Sequence, residues 1–568
     1  MLLARLTLLS ASLLVASASH PAGEPIASQA RPRTTALDIP RIERPAGETS
    51  AWWFRAGAVA AHERGAGREQ ARNLVLFVGD GRSLTTVAAA RILAGQRGGA
   101  PGEEHQLSFE AFPHTALSRT YNTDRQVPDS AGTMTALVAG IKTRIGLMGV
   151  GQAAIRGDCA SASGEHIASL VELAEAAGLS TGIVTTARLT HATPGAAYAH
   201  VPERNWEHDG KLSASARAGG CQDIARQFVE FDAGDGIEVA LGGGRAQFLP
   251  ASTVDPEYPA RRGLREDGRD LVQAWRTRHP EGAYVWNASQ LAALGATAPR
   301  RVLGLFEPDH MRYEHERAAD PGGEPSLAQM TRAALAMLAR DTDGYVLVVE
   351  AGRIDHANHA GNAFRALDET IALSDAVRAA VEATDARDTL VLVTADHSHT
   401  MSFVGYPRRG NPILGKVIGA SSEDHEPGVA TDQLGLPYTT LGYANGPGYA
   451  GASADQPEGP KRYPHYVAKV SPAGGRPDLR QVDTTDPDYL QEAMFPLRSE
   501  SHGGDDVGAW ARGPGASAVR GSIEQNMLFH VMLQSQPRMA ALLCSLGKCE
   551  GGVPVGFARP GELRAVRR

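Results

Sequence analysis

Acidic and histidine side chains recur in this sequence where apolar runs of strand length end. The set consists of Asp80, Glu350, Asp355, His359, Asp396, His397 and His502. Imidazole with carboxylate is the ligand chemistry that zinc prefers, and carboxylate with hydroxyl oxygen suits magnesium. Any one of these residues alone is more often structural or solvated than a ligand, but the whole set predicts a metal centre. Asp355 and His359 are four residues apart, so in a helix both would point to one side.

A second stretch with chemical potential surrounds Ser130. Pro128 sets a turn, and Ser130 is followed by small residues and then by the apolar run 137–139, which predicts a helix N-terminus at or near Ser130. Unpaired backbone N–H groups and the helix dipole favour an anion there, such as a phosphoryl group on the serine oxygen. Taken alone, the stretch is more typical of an ordinary helix cap at Asp129 or Ser130.

The elements that would position these residues alternate between strand and helix. Apolar runs of strand length occupy residues 73–78, 181–186, 238–241, 344–349 and 389–394. Helical patterns between them occupy residues 84–93, 167–177, 326–339 and 363–384. Continuous apolar runs are typical of strands buried on both faces of a parallel sheet. We therefore predict an α/β fold, a three-layer sandwich with a large, mostly parallel central sheet flanked by helices. Ligands bind at the carboxyl edge of such sheets.

Composition and charge narrow the class of protein. The chain has 568 residues, of which 42% are hydrophobic and 21% charged, as in globular proteins that bury a core. The formal net charge is −8 and no basic stripe is present, which argues against nucleic acid as a partner.

The N-terminus is typical of an exported protein. Residues 1–18 have the charged start, short apolar core and small-residue cleavage site of a signal peptide. The apolar core is too short for a stable membrane span, although an uncleaved anchor is the alternative. Residues 19–44, rich in Pro, Ala, Arg and Ser, are predicted to form a linker. The C-terminus has no long apolar tail of the kind that a lipid anchor requires, so we expect a periplasmic or secreted protein without a membrane anchor.

The rest of the chain divides into a large domain and a tail. Residues 45–535 are predicted to form one catalytic domain, and residues 401–494, rich in Gly, Pro, Asp and Tyr, a loop-rich insertion within it. Residues 536–568 form the tail. The cysteines are Cys159, Cys221, Cys544 and Cys549. An even number in an exported protein predicts two disulfides. The closeness of the last two favours pairing them with each other, although three pairings are open.

Six motifs give this chain a resemblance to the alkaline phosphatase family. They are LFVGDG at residues 76–81, VPDSAGT at 127–133, THATP at 190–194, VEAGRIDH at 349–356, TADHSH at 394–399 and ESHGG at 500–504. The motifs occur in the order typical of the family, and the similarity extends from about residue 50 to about residue 535.

The resemblance implies a role for each matching position. Ser130 resembles the nucleophile that forms a phosphoserine intermediate, and Arg204 resembles the arginine that clamps the phosphate. The ligands of the zinc that activates the nucleophile would be Asp80, Asp396 and His397. The ligands of the second zinc would be Asp355, His359 and His502, and those of magnesium would be Asp80, Thr193 and Glu350. His191 and His399 would stand beside these ligands.

The implied activity is the hydrolysis of small phosphate monoesters at alkaline pH. The first rival is a phosphodiesterase or sulfatase of the same superfamily. The sequence after Ser130 does not fit a sulfatase nucleophile, and a diesterase would usually lack the phosphate-clamping arginine and the third metal site. The second rival is a metal- or phosphate-binding protein without turnover, which should lack the nucleophile or a ligand. None of these residues is missing.

Further matches indicate the animal-like branch of the family. Position 191 is His, as in that branch. The segments 255–259 and 305–308 resemble those that hold an extra calcium, with Glu257, Glu307 and the Phe306 carbonyl as candidate ligands and Glu324 as a further one. Ordinary surface carboxylates are the alternative. The helix predicted at residues 50–66 resembles an arm that crosses to a second subunit, and the 401–494 insertion corresponds to the crown at the dimer top, which together imply a homodimer.

One departure from the family pattern lies beside Asp80. The family usually continues Asp-Gly-Met-Gly after the first strand, whereas this chain has Arg82 and Ser83 in place of the last two residues. Losing the second glycine stiffens or reshapes the turn. Arg82 either adds a cation near the metals or points to solvent.

Overall fold

The computed structural model describes residue 45 and residues 47–419, 428–465 and 467–565. The predicted signal peptide, residues 1–18, and linker, residues 19–44, lie outside these ranges. The helices are α1 (Ser50–Glu63), α2 (Leu84–Arg97), α3 (Ser130–Ala139), α4 (Cys159–Ala162), α5 (Leu170–Ala176), α6 (Ala192–Gly195), α7 (Ala214–Ala218), α8 (Ile224–Val229), α9 (Arg245–Phe248), α10 (Leu271–Arg278), α11 (Ala288–Leu294), α12 (Glu314–Arg317), α13 (Leu327–Leu338), α14 (Arg353–His359), α15 (Ala363–Ala383), α16 (Met527–Ser535), α17 (Pro537–Ser545) and α18 (Pro560–Ala565).

The strands are β1 (Asn73–Gly79), β2 (His114–Arg119), β3 (Ser180–Arg188), β4 (Val239–Gly243), β5 (Ala283–Val285), β6 (Val302–Leu305), β7 (Tyr345–Ala351), β8 (Thr389–Thr394), β9 (Ser398–His399), β10 (Met401–Phe403), β11 (Leu441–Asn445), β12 (Lys461–Arg462), β13 (Tyr489–Leu490), β14 (Ala493–Phe495), β15 (His502–Gly503), β16 (Val507–Arg512), β17 (Gly521–Glu524), β18 (Cys549–Glu550) and β19 (Val553–Pro554).

Within the described ranges, ten strands form the central sheet, in the order β17–β2–β16–β8–β1–β7–β3–β4–β6–β5. Neighbours from β8 to β5 run parallel, and β16 runs antiparallel to both β8 and β2. The predicted α/β fold with a mostly parallel sheet flanked by helices is confirmed.

Alternate residues of the central strands explain the layered core. In β1, Leu74, Leu76 and Val78 belong to one buried apolar cluster, whereas Val75 and Phe77 belong to the other. Successive side chains of a strand point to opposite faces of the sheet, so a continuous apolar run supplies both clusters. Helices then cover each face, and the described residues from 47 onward form one compact unit.

Two of the strands that the apolar runs did not predict are shorter or more exposed. Strand β2 alternates between exposed and buried positions, and β5 has three residues. Such strands at the margins of a sheet lack the continuous apolar run of a central strand. Strands β16 and β17 and helix α16 follow one another between residues 507 and 535.

Helix α1, the predicted arm, packs against α16 of the same chain. The Phe54 ring lies 5.8 Å from that of Phe529 and 4.4 Å from that of His530, between ring centroids. Trp53 is also buried, whereas Trp52 is 47% exposed. The aromatic cluster at the start of α1 therefore docks with two of its members and leaves the third at the surface.

The insertion and the tail both contain regular structure. In residues 401–494, strands β10, β11 and β14 form a small sheet, and β12 pairs with β13; residues 420–427 and 466 lie outside the described ranges. Tail residues Met539, Leu542 and Leu563 belong to the apolar cluster that contains Leu74. The tail thus shares its core with the large domain.

Both disulfides join cysteines in the way that the sequence favoured. Cys159 is bonded to Cys221, with their Cα atoms 5.9 Å apart, and Cys544 is bonded to Cys549, with their Cα atoms 4.8 Å apart. None of the helices in the described ranges is long and apolar enough to cross a lipid bilayer.

Candidate active site

The carboxyl ends of three neighbouring strands form the edge where the predicted residues gather. Asp80 follows β1, Glu350 lies near the end of β7, and Asp396 follows β8. Because β8, β1 and β7 are adjacent and parallel, these ends lie side by side. Gly81 has a φ of +65°, and a Cβ atom there would lie 2.4 Å from His399 Cδ2. The turn after Asp80 therefore requires glycine.

Ser130 lies at the start of helix α3 and is 1% exposed. Asp129 is the N-cap, and its Oδ1 accepts a hydrogen bond from Gly132 N at 3.2 Å. Ser130 Oγ lies 3.0 Å from His397 Nε2. The two roles that the sequence left open thus fall to different residues: Asp129 caps the helix, and the hydroxyl of Ser130 faces the histidine and carboxylate cluster.

Asp80, Asp396 and His397 lie close enough to share one metal ion. His397 Nε2 is 3.4 Å from Asp80 Oδ1 and 3.3 Å from Asp396 Oδ2, and all three residues are buried. Asp396 Oδ1 also accepts a hydrogen bond from Gly81 N at 3.0 Å, which ties the β8 end to the β1 end. The structure therefore brings together the residues predicted for the nucleophile-activating zinc.

The residues predicted for the second zinc converge from two segments. Asp355 and His359 lie on α14, with His359 Nε2 3.5 Å from Asp355 Oδ2. His502 comes from β15, which pairs with β9. Its Nε2 is 3.4 Å from Asp355 Oδ1 and 3.1 Å from His359 Nε2. Strand β15 thus delivers a histidine from late in the chain to the helix that carries the other two residues.

The residues predicted for magnesium meet on the other side of Asp80. Thr193 Oγ1, in the short helix α6, donates a hydrogen bond to Asp80 Oδ2 at 3.3 Å. Thr185 Oγ1 donates to Glu350 Oε2. Among the described residues, the buried oxygens Asp80 Oδ1 and Glu350 Oε1 have no hydrogen-bond partner, so each has a lone pair free for a cation.

Arg204 is held beside Ser130. Its Nη1 donates to Asp129 Oδ2 at 3.1 Å, and its Nη2 lies 3.4 Å from His191 Nε2. Because Asp129 also caps the helix that begins at Ser130, one carboxylate positions both the serine and the guanidinium. A planar guanidinium can contact two oxygens of one phosphate.

His399 is a positioning residue between two carboxylates. Its Nε2 lies 2.7 Å from Asp355 Oδ1, and its Nδ1 hydrogen-bonds Glu500. Burial alone would lower the pKa of His399, but Glu500 and Asp355 outweigh it and raise that pKa to about 10. The imidazolium therefore donates to both carboxylates and fixes the side chain of Asp355.

Burial and mutual repulsion dominate the electrostatics of the cluster. Burial raises the pKa of Asp80 well above its usual range, and the neighbouring Asp396, Asp355 and Glu350 raise it further. Burial likewise raises the pKa of Glu350 to about 7 and lowers the pKa of His397 well below its usual range. Buried carboxylates beside neutral imidazoles, with free oxygen lone pairs, fit divalent metal ions.

Arg82 corrects the sequence-based expectation for this position. The side chain neither points to solvent nor joins the metal cluster: it is 1% exposed and packs against two aromatic rings. Its Cζ lies 4.4 Å from the Phe109 ring centroid and 5.1 Å from the Trp510 ring centroid. None of its side-chain nitrogens has a hydrogen-bond partner in the described ranges, and burial lowers the pKa of Arg82 to about 9.

The residues predicted to hold calcium lie in a second group of carboxylates. Glu257 Oε2 accepts from Arg245 Nη2 at 3.1 Å, Glu307 Oε1 from the Tyr258 hydroxyl at 2.7 Å, and Glu324 from Arg312 N at 3.0 Å. Phe306, whose carbonyl was the other candidate, is buried. Asp320, absent from the prediction, adds a fourth carboxylate, 2.9 Å from Arg312 Nε.

Sequence reasoning missed Glu500 and His310. Glu500 accepts hydrogen bonds from His399 and from Thr400 N, and its signal was its position two residues before His502 in the ESHGG motif. The His310 ring lies 5.2 Å from that of His191 and 4.0 Å from that of His356, between centroids. No pattern in the sequence indicates that His310 reaches the site.

The fold and the site place the molecule among α/β proteins that hold a buried serine within a group of metal-binding side chains at the edge of a parallel sheet. Comparison with known proteins names the family. The profile described as Alkaline phosphatase matches residues 71–536.

Two curated relatives and one solved structure show the extent of the likeness. The tissue-nonspecific alkaline phosphatase isozyme of Gallus gallus is 44% identical over 468 residues, 81% of this chain and 84% of the relative. An alkaline phosphatase of Gadus morhua is 43% identical, covering 82% and 91%. The Thermus thermophilus alkaline phosphatase structure has a TM-score of 0.57 at 25% identity, covering 89% and 98%. The chain therefore belongs to the alkaline phosphatase family and is a phosphoric monoester hydrolase.

Proposed function

We propose that the chain hydrolyses phosphate monoesters at alkaline pH through a phosphoserine intermediate at Ser130. The observation that carries the proposal is the placement of a buried serine oxygen 3.0 Å from His397 Nε2, at the N-terminus of α3. Backbone N–H groups and a helix dipole favour an anion at that point. Few structural roles explain a buried hydroxyl directed into a group of carboxylates and histidines.

The residues of the chain divide the reaction between them. Arg204 and the first N–H groups of α3 hold the phosphate oxygens, with Arg204 oriented by Asp129. The Ser130 hydroxyl gives up its proton and its oxygen forms a bond to phosphorus as the bond to the leaving-group oxygen breaks, and that oxygen takes up a proton. A water molecule then attacks the same phosphorus and gives up a proton, and the Ser130 oxygen leaves and takes up a proton. Two such displacements predict retention of configuration at phosphorus.

We assign two zinc ions and one magnesium ion to the site. Asp80, Asp396 and His397 would hold one zinc, and Asp355, His359 and His502 the other. Magnesium would be held by Asp80, Thr193 and Glu350. When bound, such ions polarise oxygen atoms and lower the pKa of hydroxyl groups and water. The chain positions the ligands: His399 orients Asp355, and Gly81 N orients Asp396.

The remaining assignments rest on the family and the sequence. We assign the catalytic domain to residues 45–535, with 401–494 as a crown-like insertion, and a homodimer in which α1 is the arm. The enzyme is periplasmic or secreted, in agreement with its two disulfides. Calcium would bind at Glu257, Glu307, Glu324 and the Phe306 carbonyl.

Ser130→Ala tests the nucleophile. With a radiolabelled phosphate monoester and an acid quench, the wild-type protein should trap labelled phosphoserine and the variant should trap none. We expect kcat/KM to fall by about 10^3-fold or more. Ser522→Ala, an exposed serine on β17, is the matched control and should behave as wild type. Near-normal turnover by Ser130→Ala would rule out the covalent mechanism.

The same preparation discriminates the rival activities. A phosphate monoester, a phosphate diester and a sulfate ester with one common leaving group should be hydrolysed with the monoester strongly favoured. Arg204 supports this order because its two N–H prongs suit a terminal phosphate with unsubstituted oxygens. A preference for the diester or the sulfate ester would replace the proposed activity with that of another member of the superfamily.

A further inference from the structure

A basic cleft of about 650 Å³ opens beside the active site, lined by the cationic side chains of Arg188, Lys211, Arg261 and Arg262. Two carboxylates, Glu207 and Asp309, also line it. The formal charge of these six side chains is therefore +2, in a chain whose net charge is −8. A local excess of cations in a concave surface attracts anions.

The two carboxylates of the cleft share one of its four cations, Arg188. Arg188 Nη2 lies 2.6 Å from Glu207 Oε1, and Arg188 Nη1 lies 2.6 Å from Asp309 Oδ1. The three others, Lys211, Arg261 and Arg262, are exposed and form no ion pair within the described ranges. Arg262 Nη1 donates to the Ser252 carbonyl, at 3.1 Å.

A short series of contacts joins the cleft to the phosphate clamp. Arg204 Nη2 lies 3.4 Å from His191 Nε2, the His191 ring lies 5.2 Å from the His310 ring, and His310 Nε2 lies 2.6 Å from Arg188 Nη1. Asn205, the residue after Arg204, lines the cleft itself. The cleft therefore adjoins the phosphate clamp, and the partly exposed side chains of His191 and His310 lie between the two.

The histidines between the phosphate clamp and the basic cleft are in surroundings that suit an anion better than a further metal ion. His191, His310 and His356 are close enough together to hold a cation. An arginine approaches each of them, however: Arg204 approaches His191, Arg188 approaches His310, and Arg353 Nη1 lies 3.0 Å from His356 Nδ1. Three guanidinium groups around the histidines would repel a metal ion and favour negative charge.

We propose that the basic cleft binds a second phosphate group of the substrate, so that the enzyme prefers phosphate monoesters whose leaving group carries a further phosphate. Reaction at Ser130 is unchanged; Lys211, Arg261 and Arg262 contact only the second phosphate. Arginine and lysine side chains without carboxylate partners are the usual ligands of such a group. The inference rests on the proposed function, because it concerns a substrate that is held at the same site.

The test compares α,ω-alkanediol bisphosphates of increasing chain length with alkyl monophosphates of the same length. After correction for the two reactive ends, we expect kcat/KM to favour the bisphosphate by about tenfold at the best length. The preference should shrink in high salt, since the cations are exposed. In a variant combining Lys211→Gln, Arg261→Gln and Arg262→Gln, the preference should vanish while kcat/KM for the monophosphates stays within about twofold of wild type.

Arg276→Gln is the matched control, since Arg276 is exposed on α10 and does not line the cleft; it should keep the preference. A wild-type protein without preference at any length, or a triple variant that retains it, would overturn the inference and leave the proposed function intact. Absence of activity on every monophosphate would instead reject the proposed function, and the inference with it.

Discussion

Two groups of buried carboxylates in this molecule have different kinds of ion-pair partner. The group at the sheet edge consists of Asp80, Glu350, Asp355 and Asp396, and the other consists of Glu257, Glu307, Asp320 and Glu324. In the second group, Arg245 contacts Glu257 and Arg312 contacts Glu307 and Asp320. In the first group, the ion-pair partners within the described ranges are histidines.

The difference indicates which group depends on a metal. An arginine stays charged under ordinary conditions and stabilises a buried carboxylate without any further ligand. A buried histidine is readily neutral, and burial lowers the pKa of His397 and of His359, the latter to about 4. One imidazolium, that of His399, does not compensate four carboxylates, so the sheet-edge group is suited to divalent cations. In the other group, two arginines compensate part of the negative charge.

The largest effect should come from removing the metals. Dialysis against a chelator should lower phosphatase activity by about 10^3-fold or more, because the site then loses its compensating charge and its Lewis acid. Zinc with magnesium should restore activity, and calcium alone should not. Melting temperature, followed in parallel by circular dichroism, should rise on reloading. Full activity in excess chelator would show that the sheet-edge carboxylate group does not depend on a metal ion.

Arg245→Met should remove one of the two arginines that compensate the second group. Arg245 is fully buried and pairs with Asp255 at 2.8 Å and with Glu257 at 3.1 Å. Removing one partner of a buried ion pair costs about 3–5 kcal/mol of the free energy of unfolding. Denaturant unfolding measures this loss of stability. The control Arg276→Met, which removes an exposed arginine, should change the free energy of unfolding by less than about 0.5 kcal/mol. A loss equal to that of the control would show that Arg245 does not stabilise the group.

Glu324→Gln tests whether Glu324 makes the stability of the protein depend on pH. Burial, followed by the charge of Glu307, raises the pKa of Glu324 from 4.5 to about 9. The folded state then binds more protons than the unfolded state between these values, so stability is fully present below pH 4.5 and falls as pH rises toward 9. The contribution of Glu324 to this slope should be about 1.4 kcal/mol per pH unit in calcium-free buffer, and Glu324→Gln should lack it.

Adding calcium distinguishes a Glu324 carboxyl whose pKa is raised by burial from a Glu324 carboxylate that binds calcium. A bound calcium ion needs ionised oxygen ligands, so saturating calcium should remove the Glu324 contribution from the pH slope of the wild type. If the slopes of wild type and Glu324→Gln coincide without calcium, the raised pKa of Glu324 is ruled out.

The smallest effect concerns Arg82, a buried cation whose side-chain nitrogens have no hydrogen-bond partner among the described residues. Arg82→Met should raise the free energy of unfolding by about 1 kcal/mol, because the desolvation cost of the guanidinium exceeds its attraction to the Phe109 and Trp510 rings. Thermal unfolding measures the change, and kcat should stay near the wild-type value. A variant less stable than wild type would show that the aromatic contacts outweigh the desolvation.

Much of the site follows from local patterns in the sequence. Asp80 and Asp396 each come two residues after the end of an apolar run, and such runs are typical of central strands whose carboxyl ends share an edge. The turn at Pro128 and the small residues after Ser130 predicted the helix N-terminus that the structure contains. These features depend on neighbouring residues, so they are readable without the tertiary fold.

The rest depends on segments that are distant in the chain. Glu500 reaches His399 because β15 pairs with β9, and His310 reaches His191 only through the packing of their loops. Asp320 joins the second carboxylate group through Arg312. No local pattern encodes such contacts, because they arise from sheet order and loop packing.

The sequence by itself determined the strand ends that carry Asp80, Glu350 and Asp396, since apolar periodicity and turn residues act locally. Only the tertiary structure decided the direction of Arg82 and the location of the basic cleft. The side chain of Arg82 points into the aromatic layer because Phe109 and Trp510 pack there, and Trp510 follows Arg82 by more than four hundred residues. Charge balance inside a protein is likewise a property of the assembled fold, because the partners come from separate segments.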